Sequence, residues 1–205
     1  MHGLGSLLGN DVEVAGRTDA SIMRDVVRLA GVDDAVVDER WPEVQVAAVA
    51  AYDEIVPDLS ERVAPGVVEL LEALTARPDE FRLALLTGNI EPIARRKLAA
   101  AGIGHHFEPG QGGFGSDHHN RAKLPAIARE RAGDWPRERT VVIGDTPRDI
   151  ACARADDIRV AAVATGHFTV EQLADADAVA DDARALLPIL ETWQGGGQTR
   201  TLTGS

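Results

Sequence analysis

Thr140 to Ile150, TVVIGDTPRDI, restricts the fold more than any other stretch of this chain. Thr140, Val141, Val142 and Ile143 make a short, β-branched, largely apolar run, the mark of a strand buried on both faces. Gly144 breaks the run, and Asp145 follows at the strand's carboxyl end. Thr146, Pro147 and Asp149 then supply an N-cap, a first-turn proline and a capping-box acid, so a helix starts at once. In open α/β sheets, ligands bind just outside the carboxyl ends of the strands. Two carboxylates four residues apart at such a place suit a hard, oxygen-liking cation such as magnesium. The plainer reading of the same residues has Asp149 capping its helix and Asp145 bending the chain.

A chain of 205 residues buries a real core and holds one domain, with or without a small insertion. Its formal charge of −12, from 33 acids against 21 bases, disfavours nucleic acid and anionic membrane as partners, because both need a basic footprint. The single cysteine, Cys152, cannot form an internal disulfide, which points to a reducing, cytoplasmic setting. No apolar run approaches the roughly 20 residues of a membrane helix, and MHGLGSLLGND carries no basic leader region. Nothing in the sequence speaks to oligomeric state.

Taken in order, Met1 to Asn10 is glycine-rich and without period. Gly16 to Asp19 forms a turn in which Thr18 or Asp19 caps a helix carrying Ile22, Met23, Val26, Val27 and Leu29 up to Gly31. A second helix is expected from Pro42 to about Asp58, so residues 12–62 read as a small all-helical unit. From Ala64 helices and strands alternate. Val67, Leu70, Leu71 and Leu74 share one helix face, Leu83 to Leu86 is a short buried strand, and the next helix ends at Gly102. A glycine-rich segment from Phe107 holds a short strand, a helix spans about Arg121 to Ala132, and the Thr140 strand follows. Arg159 to Ala164 is another buried strand, Thr169 and Gln172 box a further helix, Ala178 to Ala180 is a last short strand, and Asp182 caps a final helix. The tail from residue 195 has nothing to bury and is expected to be disordered. Strands separated by helices predict a doubly wound, parallel α/β sheet of Rossmann-like form over residues 64–190, with helices on both faces.

Leu85-Leu86-Thr87-Gly88-Asn89 puts a hydroxyl and free amide groups at a strand end and a helix N-terminus, a ready site for an anion. The alternative is an ordinary Asn89 cap after a glycine turn. Arg121 and Lys123 open a later helix behind a flexible loop; either neutralises a phosphate there, or both are solvated surface charges. Four histidines, His105, His106, His118 and His119, lie in loops, but neighbours in sequence rarely point at one ion and no cysteine supports them.

Taken together, strand–Thr–Gly–Asn, a basic residue opening a later helix, and strand–Gly–Asp–Thr–Pro–Arg–Asp resemble the haloacid dehalogenase superfamily of phosphohydrolases, closest to its phosphoglycolate-phosphatase-like branch. The resemblance covers about residues 64 to 190, and the helical stretch before them sits where this branch inserts a cap. It implies that Thr87, Gly88 and Asn89 hold the phosphoryl oxygens, that Arg121 or Lys123 stabilises the transferring group, and that Asp145 and Asp149 form the magnesium site. It implies a small phosphorylated metabolite as substrate, chosen by the cap, with Arg17, Thr18 and Asp19 as the residues to examine first.

The superfamily's first motif, a strand ending in a nucleophilic aspartate with a second aspartate two residues on, has no match here. Asp11 has no apolar strand before it and is followed two residues later by Glu13. The expectation is therefore a chain lacking roughly 20 to 30 residues of the family pattern, a length judged from a strand, a turn and part of a helix. Such a chain is expected to be inactive by itself, and to pair the Leu83 and Thr140 strands directly, to dimerise through their edges, or to aggregate. The competing class is a non-catalytic module that binds magnesium or phosphate and regulates a partner.

Overall fold

The computed structural model describes residues 16–55 and 58–195. The readings for Met1 to Asn10, for Asp11 and Glu13, and for the tail beyond residue 195 lie outside them. In chain order the helices and strands are α1 (Asp19–Leu29), α2 (Asp34–Ile55), α3 (Val67–Thr75), β1 (Leu85–Thr87), α4 (Glu91–Ala100), β2 (Gly112–Phe114), α5 (Leu124–Arg131), β3 (Val141–Gly144), α6 (Pro147–Ala155), β4 (Arg159–Val163), β5 (Ala178–Ala180) and α7 (Leu186–Gly195).

Local sequence explains most of these boundaries. Thr18 caps α1 by accepting from the Ser21 N–H at 3.1 Å. The Thr146 hydroxyl and the Asp149 carboxylate close the capping box of α6 reciprocally, with Pro147 at its first position. The 3₁₀ turn before α7 starts at Asp182, whose side chain accepts from the Arg184 N–H. Helix α2 differs from the sequence expectation by starting at Asp34, eight residues before Pro42. Asp33 caps that earlier start through the Ala35 N–H at 2.8 Å. The proline is carried inside the helix on an exposed stretch, where the carbonyl it leaves unbonded meets water. The expected helix after Thr169 is a 3₁₀ turn of three residues, Glu171–Leu173, although the Thr169–Gln172 box is present. Its length is limited because Asp177 must already donate to the Val160 carbonyl, at 2.9 Å.

All strand pairing is parallel. Strand β4 lies between β3 and β5, with Val142 opposite Val160 and Ala162 opposite Val179. Its side chains alternate between two cores, as a period of two requires. Ala161 and Val163 pack with Leu70 and Leu74 of α3 and Leu186 and Leu190 of α7. Val160 and Ala162 pack with Ile150 and Ala153 of α6 and with Leu173. Fully burying a leucine such as Leu186 contributes about 1.5–3 kcal/mol.

The sheet is split. Among the described residues β1 pairs only with β2, Leu85 opposite Gly112 and Thr87 opposite Phe114, and forms a block separate from β3-β4-β5. Direct pairing of the Leu83 and Thr140 strands is therefore not the repair adopted among the described residues. Between the blocks runs an apolar cleft of about 400 Å³ whose walls include Leu83, Leu85, Leu86, Val141, Val142 and Ile143. Ile143, in the middle of an apolar strand, remains 42 % exposed beside it. The strand expected over Leu83 to Leu86 is correspondingly reduced to Leu85–Thr87, for it is hydrogen-bonded along one edge only.

Helices α1 and α2 pack on each other, and α2 reaches α4 through the Arg96–Asp53 ion pair. No helix among the described residues is long and apolar enough to cross a membrane.

Candidate active site

Three loops meet the carboxyl ends of β1 and β3. The first, Thr87-Gly88-Asn89, leaves β1; the Thr87 hydroxyl accepts from the Asn89 N–H at 3.2 Å. The amides expected to be free at the start of α4 are occupied. The Ile90 N–H donates to Asp19 Oδ2 at 2.8 Å, and the Glu91 N–H donates to Ser116 Oγ at 3.2 Å. Asn89 is not the N-cap of α4, which is Ile90. Its side chain instead donates to Asp19 Oδ1 at 3.1 Å and accepts from Lys97 Nζ at 2.9 Å. Of the three loop residues, Thr87 and Gly88 keep groups that no protein donor or acceptor of α4 has claimed.

The second loop leaves β3. The Asp149 carboxylate folds back under it, and Oδ2 accepts from the Asp145 N–H at 3.2 Å, the Thr146 N–H at 3.1 Å and the Thr146 hydroxyl at 2.8 Å. Only a glycine fits at residue 144, because a Cβ there would lie 2.4 Å from Asp149 Cγ. Asp149 is buried, whereas Asp145 is exposed. The surrounding protein and then the charge of Asp149 raise the Asp145 pKa, against smaller opposing effects from Arg121 and His167. Two carboxylates so arranged repel each other, and a divalent cation relieves that repulsion. The Asp149 Oδ2 is already engaged by the loop after β3. No group of three or more histidine, cysteine or acidic side chains able to hold a metal ion occurs among the described residues.

The third loop brings in Arg121. Asn120 caps the 3₁₀ turn Arg121–Lys123 by accepting from the Ala122 N–H at 3.0 Å. Arg121 Nη2 then donates to Asp149 Oδ1 at 2.5 Å, while its buried Nε has no partner among the described residues. Lys123 is exposed and makes no ion pair among the described residues. The structure thus joins Arg121, Asp145 and Asp149 and leaves Lys123 outside that group. The Cys152 thiol donates to the Arg121 carbonyl at 3.1 Å, and burial pushes its pKa up to about 11. At pH 8 the folded protein should therefore resist alkylation by iodoacetamide, whereas unfolding in guanidinium should expose one reactive thiol. Rapid labelling of the native chain would contradict this burial.

Two residues escaped the sequence reading. His167 lies close enough to Asp145 to bias its ionisation, and Gly166 brings that segment against the carboxylate: a Cβ at residue 166 would fall 2.6 Å from Asp145 Oδ2. Their position just past the carboxyl end of β4, next to β3, was the available signal. Ser116 has no signature beyond a glycine-rich loop. The four histidines form two ring pairs, His105–His106 and His118–His119, with centroids 4.0 and 4.6 Å apart. Arg17 bonds Ser21 and Asp25, and Thr18 and Asp19 bond other protein groups.

A model of the haloacid dehalogenase-like hydrolase family matches residues 9–154. The chain is also 25% identical over 125 residues to a protein of Caldanaerobacter subterraneus subsp. tengcongensis provisionally named pyrophosphatase PpaX. That alignment covers 61% of this chain and 56% of the relative, so it spans little more than half of the relative's length.

Proposed function

Because this chain belongs to the haloacid dehalogenase-like hydrolase family, we propose that it forms the body of a phosphohydrolase acting on a small phosphomonoester. What supports this reading is the Asp149 carboxylate, bonded to Arg121 and to the Asp145–Thr146 backbone at the carboxyl end of β3, with Thr87 at the carboxyl end of β1. In this reading residues 64–190 are the hydrolase core, and α1 and α2, within residues 12–62, are a cap that screens substrates.

The nucleophile is an aspartate outside residues 16–195, at the end of a strand that fills the cleft between β1 and β3. Its carboxylate attacks phosphorus as the bond to the alcohol oxygen breaks, the second aspartate of the superfamily's first motif protonates the departing alkoxide, and it then takes a proton from the water that hydrolyses the aspartyl phosphate. The Thr87 hydroxyl and Gly88 N–H hold the equatorial oxygens, and Arg121, whose Nε is still unbonded, offsets their charge. Asp145 would hold magnesium, which would supply charge neutralisation at the phosphoryl oxygens, and Asp149 keeps the loop in place.

The test is phosphate release from p-nitrophenyl phosphate and from pyrophosphate, the compound the relative's name points to, with magnesium present. The 205-residue chain alone should be inactive. The same chain carrying an added strand that ends in Asp-x-Asp should turn over, and Asp145→Asn or Thr87→Ala should then lower kcat/KM by at least about 100-fold. Full activity in Asp145→Asn would overturn the site assignment. Magnesium-dependent phosphate binding without turnover in the completed chain would favour the second reading, a regulatory binding module.

A further inference from the structure

We propose that Asp19 is a positioning residue, the pin that holds the Thr87-Gly88-Asn89 loop in register with the other two loops of the site. The inference rests on the phosphohydrolase reading above but concerns a side chain that reading leaves unused. Thr18 already caps α1, so the Asp19 carboxylate is free for other work. It crosses 71 residues of sequence to take the Ile90 N–H at 2.8 Å and also accepts from the Asn89 amide at 3.1 Å. Lys97 fixes that amide's orientation by donating to its oxygen at 2.9 Å, which leaves the NH₂ group for Asp19. Meanwhile the Asp19 N–H donates to the Gly88 carbonyl at 2.8 Å. Gly88 has no room for a side chain here, since a Cβ would sit 1.9 Å from the Arg17 carbonyl oxygen.

The residues beside Asp19 engage the other two loops. Thr18 donates to the His119 carbonyl at 2.6 Å, just before Arg121. Gly16 packs so closely on Thr146 and Arg148 that a Cβ would lie 2.9 Å from either. Residues 16–19 are thus a strap touching every loop of the site, and Asp19 is its tie to the phosphate loop. A second consequence concerns the ligand. The strap's own carboxylate occupies the N-terminus of α4, where an anion would otherwise settle, so a phosphoryl group is directed to Thr87 and Gly88.

The test uses the full chain and two readouts, hydrogen exchange over residues 85–92 and affinity for inorganic phosphate in the presence of magnesium. Asp19→Ala should speed exchange at Asn89, Ile90 and Glu91, and weaken phosphate binding, each by about tenfold, with exchange in β4 unchanged. Asp19→Asn keeps an acceptor for the Ile90 N–H and should recover most of both; if Asp19→Ala fails to fold, Lys97→Met decides, because it frees the Asn89 amide that Asp19 otherwise holds. Unchanged exchange at residues 89–91 in Asp19→Ala, or at Asn89 in Lys97→Met where that variant stands in for it, would overturn the proposal. So would unchanged phosphate affinity in a chain where Thr87→Ala does weaken it. If Thr87→Ala leaves phosphate binding intact, the phosphohydrolase reading of the loop fails, and the exchange rates still decide whether Asp19 pins it.

Discussion

A parallel strand supplied to the cleft between β1 and β3 should raise the melting temperature of this protein by about 10–20 °C. Strand β1 uses one edge for β2 and β3 uses one edge for β4, so backbone groups along both inner edges have no strand partner among the described residues. Each new backbone hydrogen bond contributes about 0.5–1.5 kcal/mol net, and covering Ile143 and its neighbours adds a further hydrophobic contribution. After the entropy of ordering the strand, a gain of about 5 kcal/mol is reasonable, and for a chain of this size each kcal/mol moves the midpoint by about 2–4 °C. The experiment fuses an apolar, β-branched strand of about six residues, some 20 Å long, to the N-terminus. Gly16 lies against the loop after β3, and the fifteen residues before it span up to about 50 Å, enough to let such a strand enter the cleft. A control strand interrupted by proline cannot complete the ladder. Equal melting temperatures for strand, control and parent would show that the cleft does not take a strand, and would remove the proposed route for the nucleophile.

Replacing Asp156 should cost about 3–5 kcal/mol, the usual loss when one member of a buried ion pair is removed. Asp156 ends α6 and is 6 % exposed. Arg129 meets both of its oxygens, at 2.7 and 2.9 Å, and Arg137 donates to its backbone carbonyl and to Oδ1. Asp156→Ala leaves the largely buried Arg129 facing Arg137 with no anion between them. Burial by itself raises the Asp156 pKa, but the two arginines outweigh it and hold the pKa below the ordinary carboxylate value. The sign of the pH dependence follows: the stabilisation is fully present above the unfolded pKa of about 4 and is lost as pH falls through the lower folded value. Urea unfolding should therefore show a large gap between parent and variant at pH 7 that narrows below pH of about 4. Equal stability at pH 7 would show that the pair contributes nothing.

The sequence by itself determined the features governed by neighbours along the chain. Thr146, Pro147 and Asp149 lie within one helical turn, and so the cap of α6 was legible, as were Thr18 before α1 and Asp182 before the last helix. The alternating cores on either side of β4 follow from a run of small and β-branched residues that can only lie covered on both faces. Where a short-range signal competed with the chain's path it lost: Thr169 and Gln172 form their box, but the turn they open must end in time for Asp177 to meet Val160. The site divided in the same way. Asp145 and Asp149 are four residues apart and could be paired on paper, whereas nothing local announces that Arg121 lies against Asp149, 28 residues away. Asn89 read as a cap or phosphate ligand because its partner Asp19 lies 70 residues back, and no local pattern announces such a bond. The split sheet, too, belongs to tertiary structure, since edge pairing depends on which strands meet in space, and that is settled by packing across the whole core rather than by any one stretch of residues.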